Sequence, residues 1–302
     1  MKERITMERE IELLDRIVPS GSRQSPREWE FESGGKMVSN SFDVPYRWVC
    51  RLQVREKGPS GWRNKEPATG VLIGPRHVLT TAHLLDPYYK QRAGQWQVLV
   101  YPGFNGSRRL GEEISTDIKV SRGWEAGTKE AGDLGAYDFA MVFLPGDIST
   151  KRPKELGGKP LGYWGSPTSG HKTVFAPLEA TSLESKTVDT AGYPRGKKKT
   201  MWAGTGALSN VFIRIKDKIR TKRGMDHDAM ESLGEDARGM SGGPVWLSRG
   251  AIRYLIGINA SITPVDHVDE KTRTRRKYWG GHAARVTIEL FEEVIDWMHT
   301  NP

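Results

Sequence analysis

Short apolar runs, each closed by glycine, proline or charge, follow one another from about Pro45 almost to the end of the chain. They include "YRWVCRLQV", "GVLIG", "HVLTTA", "WQVLVY", "IKVSRGW" and "FAMVFL", then "TVDTAGY", "TMWAGTGAL", "VFIRIK", "GPVWLS", "RYLIGINASI" and "HAARVTI". Runs of this length suit strands better than packed helices, and 34 Gly and 17 Pro supply the turns between them. The pattern predicts an all-β fold. The stretch "PGDISTKRPKELGGKP" (145–160) interrupts the series and reads as a linker, dividing the strands into antiparallel halves over 44–150 and 151–302.

Both ends depart from this texture. Residues 1–43 form an N-terminal extension, in which Met7, Ile11, Leu14 and Val18 recur at helical spacing before an irregular connector over 19–36. At the other end Leu290, Phe291, Val294, Ile295 and Met298 share one face of a predicted helix, with Thr287 as its cap and Glu289 in its first turn.

No apolar stretch approaches the ~20 residues that a helix needs to cross a bilayer. The charged opening "MKERITMEREIELLDRIV" has no apolar signal core, and the single cysteine, Cys50, reads as a buried strand residue. These features predict a reducing, cytoplasmic compartment. The formal net charge of +9 gathers in "RGKKK" (195–199), "RIKDKIRTKR" (214–223) and "KTRTRRK" (271–277). Such clusters can hold nucleic acid, but no nucleic-acid motif accompanies them, so solvated loops and hairpin tips are the preferred reading.

The run "GMSGGPVW" (239–246) sets Ser241 among Gly239, Gly242 and Gly243. By itself this is an ordinary turn composition. A serine hydroxyl becomes a useful nucleophile only beside an imidazole that takes its proton and a carboxylate that orients the imidazole. In "VLIGPRHVLTTAHLL" (71–85), His83 follows two apolar strands and small residues, whereas His77 lies in the turn and ranks below it. In "YDFAMVFL", Asp138 leads a buried-looking strand, where a carboxylate needs a donor to offset its desolvation. Each residue alone reads equally well as structural. Together they give the chain order His83, Asp138, Ser241, one of the orders known for a catalytic triad.

The blocks "TAHLL", "DFAMV" and "GMSGGPVW" resemble the active-site blocks of chymotrypsin-fold serine peptidases. Further blocks, "VPYRWVCRLQV", "TAGYPRGKKKTMWAGTGAL" and "GGHAARVTIELFEEVIDWM", resemble the glutamyl-endopeptidase-like bacterial and fungal branch, from about residue 44 to the end. The resemblance implies two six-stranded antiparallel β-barrels with a C-terminal helix and a short N-terminal helical extension. It implies a serine endopeptidase of narrow or regulated specificity, with His83 as general base, Asp138 orienting it and Ser241 attacking. The amides of Gly239 and Ser241 would form the oxyanion hole. The alternative is a protease fold that binds without turnover or awaits a partner. A protein or peptide substrate is expected and a regulatory partner is conceivable; neither a membrane, a cofactor nor a metal is implied.

The chain also departs from these relatives. Met240 stands where zymogen-type relatives carry an aspartate that pairs with a freed N-terminus, so "RIV" (16–18) is not read as an activation site. Asn259 stands where glutamyl endopeptidases carry a substrate-binding histidine, which weakens any preference for Glu. Glu235 and Asp236 occupy the region that forms the pocket base in trypsin-like relatives, and either would favour Lys or Arg there, ahead of a small aliphatic residue. Asn259, Ala260 and Ser261 would pair with an extended substrate as an added strand. "MDHDAM" (225–230) and "VDHVDE" (265–270) lack metal-ligand spacing, and "FNGSRRLG" (104–111) lacks the Lys-Ser/Thr of a phosphate loop.

Overall fold

A computed structural model describes residues 36–91, 94–126, 137–167, 172–183, 186–194, 199–211, 218–223, 239–268 and 275–302. The predicted N-terminal helix lies outside these residues. The first strand, β1 (Lys36–Met37), falls where an irregular connector was expected; it pairs with Ala203 and Trp202.

The next seven strands form one antiparallel sheet. They are β2 (Val49–Gly58), β3 (Gly61–Gly74), β4 (His77–Thr80), β5 (Trp96–Pro102), β6 (Glu113–Ser115), β7 (Asp117–Val120) and β8 (Ala140–Phe143), in the order β6-β5-β2-β3-β4-β8-β7. Only Thr116 separates β6 from β7, so these two are halves of one bent strand that pairs with β5 on one side and β8 on the other. The ring therefore has six strand directions. Ser115 secures its seam, its hydroxyl donating to the Phe143 carbonyl at 2.5 Å and accepting from Asp117 N–H at 3.0 Å.

The second sheet adds β9 (Lys172–Phe175), β10 (Thr187–Gly192), β11 (Trp202–Val211), β12 (Lys218–Arg223), β13 (Pro244–Arg249), β14 (Ile252–Val268) and β15 (Arg275–Arg285). The path β11-β10-β13-β14-β15-β12 returns to β11 through the β11–β12 pairing, which closes a second six-stranded ring. All pairings within the ring are antiparallel; two short strands join it from outside, β1 antiparallel to β11 and β9 parallel to β14. The short helices are α1 (Ala82–Tyr89), α2 (Arg122–Glu125) and α3 (Ala180–Leu183), and α4 (Ile288–Thr300) ends the chain. No described helix is long and apolar enough to cross a membrane.

Strand alternation decides what each ring buries. In β2, Cys50, Leu52 and Val54 are completely or almost completely buried, while Arg51, Gln53 and Arg55 occupy the opposite face. Burial pushes the Cys50 thiol well above its ordinary pKa, consistent with an inert core residue. β4 and β8 are buried at every position, so both their faces are covered. An aromatic series joins the sheets: Trp164 packs 6.1 Å from Trp48 and 5.9 Å from Trp246. The Trp164 N–H donates to the Leu72 carbonyl of β3 at 2.9 Å.

The α4 helix begins as its sequence predicts, with the Thr287 hydroxyl accepting from Leu290 N–H at 3.1 Å. Leu290, Val294 and Trp297 form its buried stripe, Trp297 lying 5.7 Å from Phe139. Thr287→Ala should lower the unfolding free energy by about 1 kcal/mol, measured by urea titration. His77 serves this end of the molecule. Its buried ring packs edge-on to Phe143 and its Nε2 lies 2.8 Å from the Asn301 carbonyl, with burial lowering its pKa.

Candidate active site

Thr80 ends β4, and Thr81 takes the extended geometry of a helix N-cap at φ −94° and ψ 148°. Yet the Thr81 side chain makes no capping bond, and its buried hydroxyl has no partner among the described residues. Asp138 takes over the cap. Its Oδ1 accepts the His83 backbone N–H at 2.9 Å, and its Oδ2 sits 2.7 Å from His83 Nδ1. One carboxylate thus satisfies the first turn of α1 and fixes the imidazole on it.

The Asp138 side chain is 7% exposed, whereas that of His83 is 39% exposed. With a buried carboxylate on Nδ1, the proton belongs there and Nε2 is the basic nitrogen. Burial lowers the pKa of His83, but the hydrogen bond and charge of Asp138 outweigh it, and the net shift is upward. The backbone around Asp138 is braced on both sides. Ser121 Oγ donates to the Tyr137 carbonyl at 2.5 Å, and Ser121 N–H donates to the Phe139 carbonyl at 3.1 Å.

The glycine-rich loop at 239–243 is held by threonines from the first sheet. Thr69 N–H donates to the Ser241 carbonyl at 2.9 Å, and Thr69 Oγ1 donates to the Gly239 carbonyl at 2.6 Å. Thr80 Oγ1 in turn donates to the Thr69 carbonyl at 2.8 Å. The loop is therefore docked on β3 at Thr69, which is tied in turn to Thr80, the last residue of β4 before the helix of His83.

Gly242 shows why a side chain is excluded. At φ +84° its Cβ would lie 2.0 Å from Thr69 O and 2.2 Å from Thr80 Oγ1. Gly242→Ala should therefore cost at least about 2 kcal/mol, read as a lowered denaturation midpoint, and should displace Ser241. Met240, nearly buried, packs toward Gly192 and leaves no acidic group at that position.

The structure joins His83 to Asp138 and sets the Ser241 loop against Thr69 and Thr80. Among the described residues, Ser241 Oγ makes no hydrogen bond to His83. Nor do the backbone N–H groups of Gly239 and Ser241 have an acceptor there, while those of Gly242 and Gly243 donate to Asn259 O and Met240 O. Asn259 supports the loop: its N–H donates to Gly243 O at 2.8 Å, and its Nδ2 donates to Thr190 Oγ1 at 2.6 Å. Its backbone groups on this side are thus already engaged. Beyond Asn259 the β13-facing edge of β14 has no strand partner among the described residues, and Ala260 forms a bulge opposite β15. Glu235, Asp236 and "MDHDAM" lie outside the described residues, as do the last two residues of "VDHVDE". No cluster of three His, Cys, Asp or Glu side chains is present among the described residues.

Two closed β rings, a buried carboxylate on an imidazole and a serine in a loop where Gly239 and Gly242 take positive φ define the class of chymotrypsin-fold serine peptidases. A family model described as the trypsin-like peptidase domain matches residues 68–258, and the chain belongs to that family. Among solved structures it is similar to a Glu endopeptidase, with 20% identity over 90% of this chain and 99% of the other, at a TM-score of 0.54. It is similar also to an inactivated protease paralogue of the scabies mite, with 14% identity over 89% of this chain and 100% of the other, at a TM-score of 0.51. No curated protein sequence matches it.

Proposed function

We propose that this chain is a serine endopeptidase that cleaves peptide bonds through His83, Asp138 and Ser241. The fold alone does not decide this, since the same fold serves the scabies mite's inactivated paralogue. The carrying observation is the His83 imidazole, clamped at Nδ1 by Asp138 at 2.7 Å, together with a serine loop whose Gly239 and Ser241 amides have no acceptor among the described residues.

In this reading His83 Nε2 takes the Ser241 proton as Oγ attacks the carbonyl carbon, giving a tetrahedral oxyanion that the Gly239 and Ser241 amides receive. The proton then passes from His83 to the leaving nitrogen, the carbon–nitrogen bond breaks, and Ser241 carries the acyl group. Water, deprotonated by the same imidazole, releases it. The missing Ser241–His83 hydrogen bond is compatible with this cycle, because such bonds are often long before substrate arrives. Residues on the acyl side of the substrate would lie along Ala260 and Ser261 as an added strand. Glu235 and Asp236 are proposed to bias the pocket toward Lys or Arg.

A fluorophosphonate probe tests the reading. Wild type should be labelled on Ser241, and Ser241→Ala should not react. An unlabelled wild type would instead leave a protease-fold binding module or an enzyme awaiting its partner.

A further inference from the structure

The outer face of the first sheet begins at the residue that grips the nucleophile loop and carries an unusual set of side chains. Cross-strand rows on this face are Thr69–Arg51–Tyr101, Pro67–Gln53–Leu99–Ile114, Asn64–Arg55–Gln97 and Trp62–Lys57. None of these positions is acidic. Of the carboxylates near these rows in sequence, Glu56 pairs with Lys65 at 2.7 Å, Glu112 with Arg109 at 2.9 Å and Glu113 with Lys151, while the side chain of Glu66 lies outside those described.

The guanidinium groups on the face are held by amides and aromatic rings, with no counter-charge among the described residues. Arg55 donates twice to the amide oxygen of Gln97, at 2.9 and 2.6 Å, and lies 5.0 Å from the ring centre of Trp62. Arg51, buried together with Gln53 and Leu99, donates to Gln53 Oε1 at 2.9 Å and stacks 5.5 Å from Phe104. The accessible basic and exposed large apolar side chains of the face are therefore Arg55, Lys57, Trp62 and Ile114. Neither Arg51 nor Arg55 is paired with a carboxylate among the described residues. Trp62 is 39% exposed and Ile114 40%, two of four large apolar side chains so exposed among the described residues. A fixed guanidinium on an exposed indole, beside an exposed isoleucine, fits an acidic polypeptide that also carries apolar side chains.

Position relative to the cleft selects the source of that polypeptide. The Ser241–Gly242 segment is gripped from both sheets, through Thr69 N–H to Ser241 O and Gly242 N–H to Asn259 O. A substrate whose acyl side lies along β14 beyond Asn259 crosses Ser241 and emerges over β3 at Thr69. From the Thr69 row to the Arg55 row is about 13 Å, and to the Lys57 row about 20 Å, at ~3.3 Å per strand residue. An extended peptide covers that span in roughly four to six residues.

We propose that this face docks an acidic, partly apolar segment of the substrate lying roughly four to six residues beyond the scissile bond on its leaving-group side. The proposal rests on the endopeptidase reading for its direction, but its binding test does not need turnover. Full-length Ser241→Ala is titrated with a fluorescein-labelled peptide of alternating Glu and Leu, its Lys/Leu counterpart, and labelled oligothymidine. The Glu/Leu peptide should bind best, and Arg55→Gln with Lys57→Gln should weaken it about tenfold. Trp62→Ala should weaken it by a similar factor. Lys57→Glu, at an exposed position, repeats the test without risk to folding. Equal affinity for the Glu and Lys peptides, indifference to these substitutions, or tighter binding of oligothymidine would overturn the docking surface. Probe labelling of Ser241 reports separately on the endopeptidase reading, so either can fail alone. In the active chain, the ratio of kcat/KM for substrates with acidic and neutral leaving-group segments should fall in the same variants.

Discussion

Removing the Ser241 hydroxyl should lower kcat about 10⁶-fold, and removing the His83 imidazole from the same molecule should cost almost nothing further. The expectation follows from how the two groups act. An imidazole whose proton transfers all serve the making and breaking of the acyl-enzyme has no remaining task once the hydroxyl that forms it is gone. Peptide hydrolysis by Ser241→Ala, His83→Ala and the double variant gives the comparison, with the residual rate set by the oxyanion amides and substrate binding. Multiplying losses would mean that the residues act independently and would end the triad reading. The cycle matters because the static geometry stops one bond short: Asp138 and His83 are joined, but the hydroxyl is not yet bonded to the imidazole.

The two β rings were legible because strand patterning is local. Cys50, Leu52 and Val54 alternate with Arg51, Gln53 and Arg55 in residue type, although Arg51 and Gln53 are buried too and only from Arg55 onward does the strand open to solvent. The Thr287 cap was equally visible, since it rests on a residue type and a bond to Leu290 three positions later. What stayed hidden depends on contacts far apart in sequence. Thr69 looks like one more strand residue in "PATGVLIG", yet it grips a loop 170 residues away. Its only signal was a polar side chain in an apolar run, which obliges a partner without naming one. Asp138 reads as a carboxylate in need of a donor, but not as the cap of α1, because no helix is legible at Ala82–Tyr89 and the bond joins residues 55 apart in sequence. The strand added by β1 depends on pairing with β11 and leaves no periodic trace in two residues.

Asp138→Asn should reduce kcat about 10⁴-fold while leaving a folded protein. Asparagine caps helices as well as aspartate does, so the first turn of α1 keeps its acceptor. What changes is the proton on His83. An amide N–H facing Nδ1 forces the ring's proton onto Nε2, where a base is required. The charge that raises the His83 pKa also disappears, leaving burial, which lowers it.

Two pH profiles should therefore move together. Wild-type activity requires neutral His83, so its acid limb should lie above the ordinary histidine value of ~6.5 and shift to lower pH in the variant. Stability runs the other way. With a folded pKa above the unfolded one, wild-type His83 contributes stability that is complete below ~6.5 and is lost as pH rises through the folded value. In the variant the folded pKa lies below the unfolded one, so its contribution is instead lost as pH falls below ~6.5. His77, lowered by burial in both proteins, cancels in the difference. Urea titrations of both proteins between pH ~5 and ~8 should show this reversal, since most of the His83 titration falls in that window. Parallel stability curves would mean that the carboxylate does not govern the imidazole's charge, whatever their separation.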